Sequence, residues 1–357
     1  MTHLQRLKNE MKKRGIGAVI VTSEINQRYL TGFNYTDGLV VVTADRAALL
    51  TDFRYIEAAN ASPAVAEFEI LMPERRMSAA ALDIIGGASC VAVEEATLSL
   101  SAYEGFVRAF EGIEVKGGAS EMLDGLREFK DAEEIEKMRR AQAITDAAFA
   151  HIVEFIRPDM TEREVALELE FFMRSKGAES VAFDTIAVSG SASSMPHGVP
   201  RDVKLERGFL TMDFGARFDG YCSDMTRTVV IGKADADIRR LYETVLRAQT
   251  EAIAAAAPGA GCAQMDKIAR DIIDGAGYVG TFGHSLGHGV GMYIHEEPRL
   301  SARVPADKLL TPGQVVTFEP GIYLSGKYGC RIEDMVAITE NGIMDFTQSP
   351  KELIEIC

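Results

Sequence analysis

Gly208-Phe-Leu-Thr-Met-Asp213-Phe-Gly-Ala216 and Tyr221-Cys-Ser-Asp224-Met-Thr-Arg-Thr-Val229 flank the pair Asp219-Gly220. Two β-rich runs joined by Asp-Gly read as a β-hairpin. With Asp219 and Gly220 in the turn, Phe218 pairs with Tyr221 and Asp213 falls opposite Thr226. Asp224 then stands opposite Gly215, diagonal to Asp213 and on the same face. Diagonal neighbours lie about 7–8 Å apart at the backbone, within reach of two ions roughly 3.5–4 Å apart. Asp213 also sits in an apolar run (Phe209, Leu210, Met212, Phe214), where a buried carboxylate needs a compensating cation.

Three further settings follow: Ser-Leu-Gly-His288-Gly-Val-Gly, Thr-Phe-Glu319-Pro-Gly and Cys-Arg-Ile-Glu333-Asp. The glycines around His288 (Gly283, Gly287, Gly289, Gly291) argue against a helix, hence against a helical pair of zinc histidines. In His295-Glu296-Glu297-Pro298-Arg299 the second histidine of a zinc-protease motif is replaced by Arg299. No helical pattern follows the glycines, so they are not a dinucleotide loop; close approach of backbone to substrate or metal explains them better. Each acid alone could be a solvated or salt-bridged residue. Yet four of the six histidines (His197, His284, His288, His295) fall among these carboxylates, which favours function. Four carboxylates and one imidazole form a hard donor set that suits manganese, cobalt or iron. Two divalent ions held there can generate hydroxide at neutral pH and polarise a carbonyl.

At 357 residues the chain calls for two domains. A net charge of -15 leaves no basic footprint for a phosphate backbone, so nucleic acid is not expected as a partner. The five cysteines (Cys90, Cys222, Cys262, Cys330, Cys357) form no Cys-x-x-Cys pair, which fits a reducing cytoplasm. The charged, amphipathic start is unlike a secretory signal, and no apolar run approaches membrane-spanning length.

Short β-like runs at 18–22, 38–43, 47–51 and 68–71 alternate with helical patterns near 2–14, 53–60, 77–85 and 100–110. That alternation predicts an α/β amino-terminal domain. From Asp131 an amphipathic helix runs to Pro158, and Thr161-Glu-Arg-Glu164 caps a second one that Gly177 closes. The boundary is placed between Glu121 and Asp131, giving domains of 1–125 and 126–357. Strands and turns dominate beyond residue 181, with helices near 235–256 and 263–275, so the second domain is α+β.

With these motifs in order, the chain resembles the pita-bread metallopeptidases, the family of methionine aminopeptidase, aminopeptidase P, prolidase and the metal-free creatinases. The resemblance implies a pita-bread catalytic domain in which Asp213 and Asp224 ligate one metal. Asp224 and Glu333 bridge the pair, and His288 and Glu319 complete the second metal. Glu319 also manages the proton. Phe183-Asp-Thr-Ile-Ala-Val-Ser-Gly-Ser-Ala-Ser-Ser-Met-Pro-His197-Gly resembles the segment of an outer-shell histidine, and His295 matches another. Both are expected to stabilise the tetrahedral intermediate. The amino-terminal domain disfavours methionine aminopeptidase, and retention of all five ligands disfavours creatinase. The implied substrates are short proline-containing peptides cut between an amino-terminal residue and proline. The implied cofactor is a pair of divalent ions, manganese foremost, with cobalt, iron or zinc as alternatives. Arg299 matches a prolidase arginine that clamps a dipeptide carboxylate, a task suited to guanidinium. An ordinary surface arginine on a loop is an equal reading, so the sequence leans only slightly toward a dipeptidase over an aminopeptidase P that takes longer peptides. His284 and Arg331 join Arg299 as expected substrate contacts. No membrane partner is expected, and the family implies a homodimer. The alternatives on this fold are a creatinase-like hydrolase of another C–N bond and a non-enzymatic binding protein.

Overall fold

The computed structural model describes all 357 residues, in two units, Met1–Arg127 and Glu128–Cys357. The first opens on a capping box: Thr2 accepts from the Gln5 amide while Gln5 accepts from the Thr2 amide, starting α1 (His3–Arg14). There follow β1 (Ala18–Val21), α2 (Glu24–Thr31), β2 (Gly38–Thr43), β3 (Ala47–Thr51), α3 (Ile56–Ala61), β4 (Glu69–Leu71) and α4 (Met77–Ile85). The unit closes with β5 (Cys90–Val93), α5 (Leu100–Ala109), β6 (Glu114–Lys116) and α6 (Ala119–Arg127). The strands form one sheet in the order β4-β3-β2-β1-β5-β6, parallel except where β2 meets β1 and β3. Every residue of β1 and β5 is buried, so these strands read as continuous apolar runs without alternation.

The sequence patterns find β1 to β4 and α1, α3, α4 and α5, but pass over β5, β6, α2 and α6. The Cys90-Val-Ala-Val93 run after Gly86-Gly87 was available as a signal for β5. The start of α2 depends on a partner remote in sequence. Glu94, fully buried, accepts from the Thr22 and Ser23 amides and from Asn26 Nδ2, so its charge meets the amino-terminal end of that helix.

The second unit begins with α7 (Ala132–Phe155) and α8 (Glu162–Ser175), both started by capping boxes, from Asp131 with Glu134 and from Thr161 with Glu164. Next come β7 (Ser180–Val181), β8 (Ile186–Ser189), β9 (Gly208–Phe214), β10 (Ala216–Phe218), β11 (Tyr221–Cys222) and β12 (Met225–Ile231). Helices α9 (Ala236–Ala254) and α10 (Cys262–Gly275) precede β13 (Gly287–Gly289), β14 (Glu296–Leu300) and β15 (Val315–Phe318). The chain ends with β16 (Gly321–Leu324), β17 (Tyr328–Arg331), β18 (Asp334–Thr339), β19 (Gly342–Asp345) and β20 (Glu355–Ile356).

Two sheets organise this unit, β20-β12-β9-β8 and β14-β13-β15-β18-β19. Ile144, Ala148, Val165 and Leu169 from α7 and α8 pack with Leu210, Met212 and Val229 of the first sheet. Leu241, Val245, Met265 and Ala269 from α9 and α10 pack with Val316, Val336 and Ile338 of the second. One helix pair therefore backs each sheet. The two sheets meet where the Glu333 amide donates to the Thr226 carbonyl at 3.1 Å. Buried Arg227 reinforces this seam, donating to the Glu333 carbonyl at 2.7 Å and to Asp334 at 2.8 Å.

The hairpin register is the one read from the sequence: Phe218 faces Tyr221 and Asp213 faces Thr226. Asp219 (φ 46°) and Gly220 (φ 85°) both turn left-handed, as a tight two-residue hairpin requires. Ladder pairing lapses around Gly215, where a Cβ would lie 2.0 Å from the Ser223 carbonyl oxygen. Only glycine permits that approach, next to Asp224.

Candidate metal centre

Both sheets deliver carboxylates to one place. Asp213 is the penultimate residue of β9, and Asp224 lies in the break between β11 and β12. Glu319 follows β15, Glu333 separates β17 from β18, and His288 is the middle residue of β13. A register shift between His288 and Gly289 re-aims that short strand. Its glycines are needed for close passage: a Cβ on Gly287 would lie 1.9 Å from the Thr317 carbonyl oxygen.

His288 Nε2 lies 3.3 Å from Glu319 Oε1 and 3.6 Å from Asp224 Oδ2. Ligand atoms of Asp224, His288 and Glu333 all fall within 4.8 Å of one another, and all three residues are buried. Asp213 Oδ2 accepts from Arg331 Nη2 at 2.6 Å, while Asp213 Oδ1 is buried with no hydrogen-bond partner.

The protonation pattern follows from this crowding. Burial first, and then neighbouring carboxylates, hold Asp224 and Glu333 well above the usual carboxylate range. Burial pushes Glu319 up to about 8, against the opposing charge of Arg331. His288 is pushed down to about 3 by burial, with His295 and Arg299 adding repulsion. Its Nδ1–H donates to the Gly289 carbonyl at 3.0 Å, which turns the Nε2 lone pair toward the acids. An acceptor nitrogen facing acceptor oxygens, beside an orphaned Asp213 oxygen, is an arrangement that a cation satisfies. The donor set fits divalent metal.

A layer of neutral and cationic groups holds these acids. Thr226 Oγ1 donates to Glu333 Oε2 at 2.6 Å and accepts from Arg331 Nε at 3.0 Å. Thr317 Oγ1 accepts from the His288 amide at 3.1 Å and donates to Glu319 Oε1 at 3.3 Å. Arg331, expected from the sequence to contact substrate, lines the cavity that holds these acids and also donates to the protein. Its Nη1 reaches the Tyr323 hydroxyl at 2.8 Å and the Pro196 carbonyl at 3.3 Å. His284 lines the same cavity; its Nδ1 donates to the Ser285 carbonyl and its Nε2 accepts from the Tyr323 hydroxyl, each at 2.9 Å. Burial pushes His284 down to about 4, so it stays neutral and fixed. The sequence assigns no role to Tyr323, Thr226 and Thr317, because an uncharged hydroxyl does not show which acid it holds. Their only signal was proximity to Glu319 and to the strand after Asp224.

His197, His295 and Arg299 line the same cavity of about 410 Å³ as the acids, together with apolar Phe183, Ile186 and Ile294. Mixed apolar walls with a few converging polar groups suit a small ligand. The His295 ring meets His288 edge-on at 4.4 Å between centroids, and burial with the Arg299 charge lowers its pKa. Both His197 and His295 are exposed to the cavity, unlike buried His288.

Residues 136–340 match the metallopeptidase family M24 model, and residues 3–129 match the creatinase/prolidase N-terminal domain. A Xaa-Pro dipeptidase of Pyrococcus furiosus is 38% identical, over 98% of this chain and 99% of that protein. The structure of a Xaa-Pro dipeptidase from Bacillus anthracis has a TM-score of 0.94 at 39% identity, covering 99% of both chains. That of an X-Pro aminopeptidase from Thermotoga maritima has a TM-score of 0.90 at 35% identity, covering 97% of this chain and all of the other.

Proposed function

Because the chain belongs to metallopeptidase family M24, we propose that it hydrolyses the bond between an amino-terminal residue and proline in dipeptides or short peptides. One observation carries this reading. Asp213, Asp224, His288, Glu319 and Glu333 converge on one cavity in a chain whose full-length relatives are named Xaa-Pro dipeptidase and X-Pro aminopeptidase.

In this reading Asp213, Asp224, His288, Glu319 and Glu333 would together hold the two divalent ions. The hard oxygen donors favour manganese, with cobalt, iron or zinc as alternatives. Bound ions lower the pKa of water and polarise the scissile carbonyl. Glu319 carries the proton from the attacking water to the leaving proline nitrogen as the C–N bond breaks and a C–O bond forms. His197 and His295, open to the cavity, donate to the oxyanion that develops on that carbonyl. Arg299 makes no hydrogen bond or ion pair through its guanidinium and meets the substrate carboxylate. That free guanidinium favours dipeptides over longer chains. We assign the protein to the cytoplasm, consistent with its scattered free cysteines, and to a homodimer on the family resemblance.

The direct test is hydrolysis of Ala-Pro and Ala-Pro-Ala with manganese and with chelator. Metal-dependent release of free alanine from either peptide is expected. A metal-loaded protein that cleaves neither would sink the reading and favour a creatinase-like hydrolase of another C–N bond.

A further inference from the structure

A second cavity, of about 530 Å³, adjoins the catalytic one and shares His284, Ser285 and Arg299 with it. Its remaining wall contains Arg270, Arg303 and Ser301, so three guanidiniums face one space and no acidic side chain lines it. The three arginines are not equivalent. Arg270 is fully engaged: it pairs with Asp266 through two bonds of 3.0 Å and donates to the Phe282 and His284 carbonyls. It serves as a wall that fixes the His284 segment. Arg299 and Arg303 make no hydrogen bond or ion pair through their guanidinium groups. Arg299 ends on the boundary between the two spaces, in β14, and Arg303 lies four residues further along the same segment.

We propose that the second cavity is a binding site for the residue after proline, with Arg303 taking the carboxylate of a tripeptide. The inference rests on the reading of the first cavity as the site of Xaa-Pro cleavage. A dipeptide places its carboxylate at the proline, where Arg299 lines both spaces. Each added residue carries the carboxylate roughly 3.3–3.6 Å further along an extended chain. The adjoining space holds three arginines and no acid among small residues, so a carboxylate entering it meets an unpaired guanidinium at Arg303. An amide or a longer uncharged chain gains no such partner. The two free arginines thereby set two substrate lengths within one site, with Arg299 serving dipeptides and Arg303 serving tripeptides.

The test has a catalytic arm and a binding arm, both on manganese-loaded protein. In the first, kcat/KM is measured for Ala-Pro, Ala-Pro-Ala and Ala-Pro-Ala amide in the parent, Arg303→Ala and Arg303→Lys. The ratio of Ala-Pro-Ala to Ala-Pro should drop about tenfold in Arg303→Ala, the loss typical of a charge-assisted hydrogen bond. The drop should appear in KM, recover in part in Arg303→Lys, and be absent for the amide. In the second arm, calorimetry compares Pro-Ala, the product of tripeptide cleavage, with Pro-Ala amide. The acid should bind more tightly in the parent, and Arg303→Ala should erase the difference. Equal binding of acid and amide by the parent would overturn the proposal, as would equal losses on Ala-Pro and Ala-Pro-Ala. If no peptide were cleaved, the peptidase reading would fall while the Pro-Ala comparison still decided the second cavity.

Discussion

Arg331 Nη2 holds Asp213 Oδ2 at 2.6 Å and leaves Asp213 Oδ1 buried without a partner. The guanidinium thus fixes the carboxylate's orientation while keeping one oxygen available. Through Thr226 the same arginine is tied to Glu333, so one cation orients two of the four acids. Arg331→Met should weaken metal binding about 10–100-fold, the usual cost of losing an outer-shell partner. Titration of metal-free protein with manganese measures this directly. Unchanged metal affinity with a raised KM would return Arg331 to the role of substrate contact.

Asp224 separates stability from function. Asp224→Asn should lower metal affinity by more than the roughly 10–100-fold seen for outer-shell losses, and turnover should fall with it. In metal-free protein the same change removes one of several crowded acids and should raise the melting temperature. Near-normal activity with no bound metal would refute the ligand assignment.

The metal-free protein should lose stability between about pH 6.5 and 8. Asp224, Glu319 and Glu333 have folded pKa values above their unfolded ones, so they stabilise the fold at low pH. Their contribution fades as pH rises, until Glu319 titrates near 8. His284 and His288, depressed to about 4 and about 3, act oppositely, but only up to their unfolded value near 6.5. Above that value the carboxylates act alone. Melting curves at pH 5 to 8.5 should show the decline with chelator, and manganese should remove most of it. A flat chelator profile would contradict the crowding.

Gly287→Ala tests the close strand passage beneath His288. A Cβ there meets the Thr317 carbonyl at 1.9 Å, backbone that cannot rotate aside. The expected loss is at least about 1–3 kcal/mol in denaturant unfolding, with weakened metal binding because His288 moves. A variant of parental stability would mean that β13 and β15 are not packed as described.

The amino-acid sequence by itself determined the hairpin register, because Asp219-Gly220 allows a left-handed turn and strand parity then places every side chain. It also determined the starts of α7 and α8, where caps lie within four residues of what they cap. These are local relations between neighbours, which propensity and spacing encode. Tertiary structure alone decided the pairings between groups far apart in the chain. Glu94 meets α2 from about 70 residues away, and Arg331 reaches Asp213 across 118 positions. His284 is fixed between Ser285 and Tyr323 by a partner 39 residues distant. The sequence showed which groups could carry charge. Which charges face each other, and which donors remain free for a substrate, depends on two sheets closing over one seam, because electrostatic pairing follows distance in space and not along the chain.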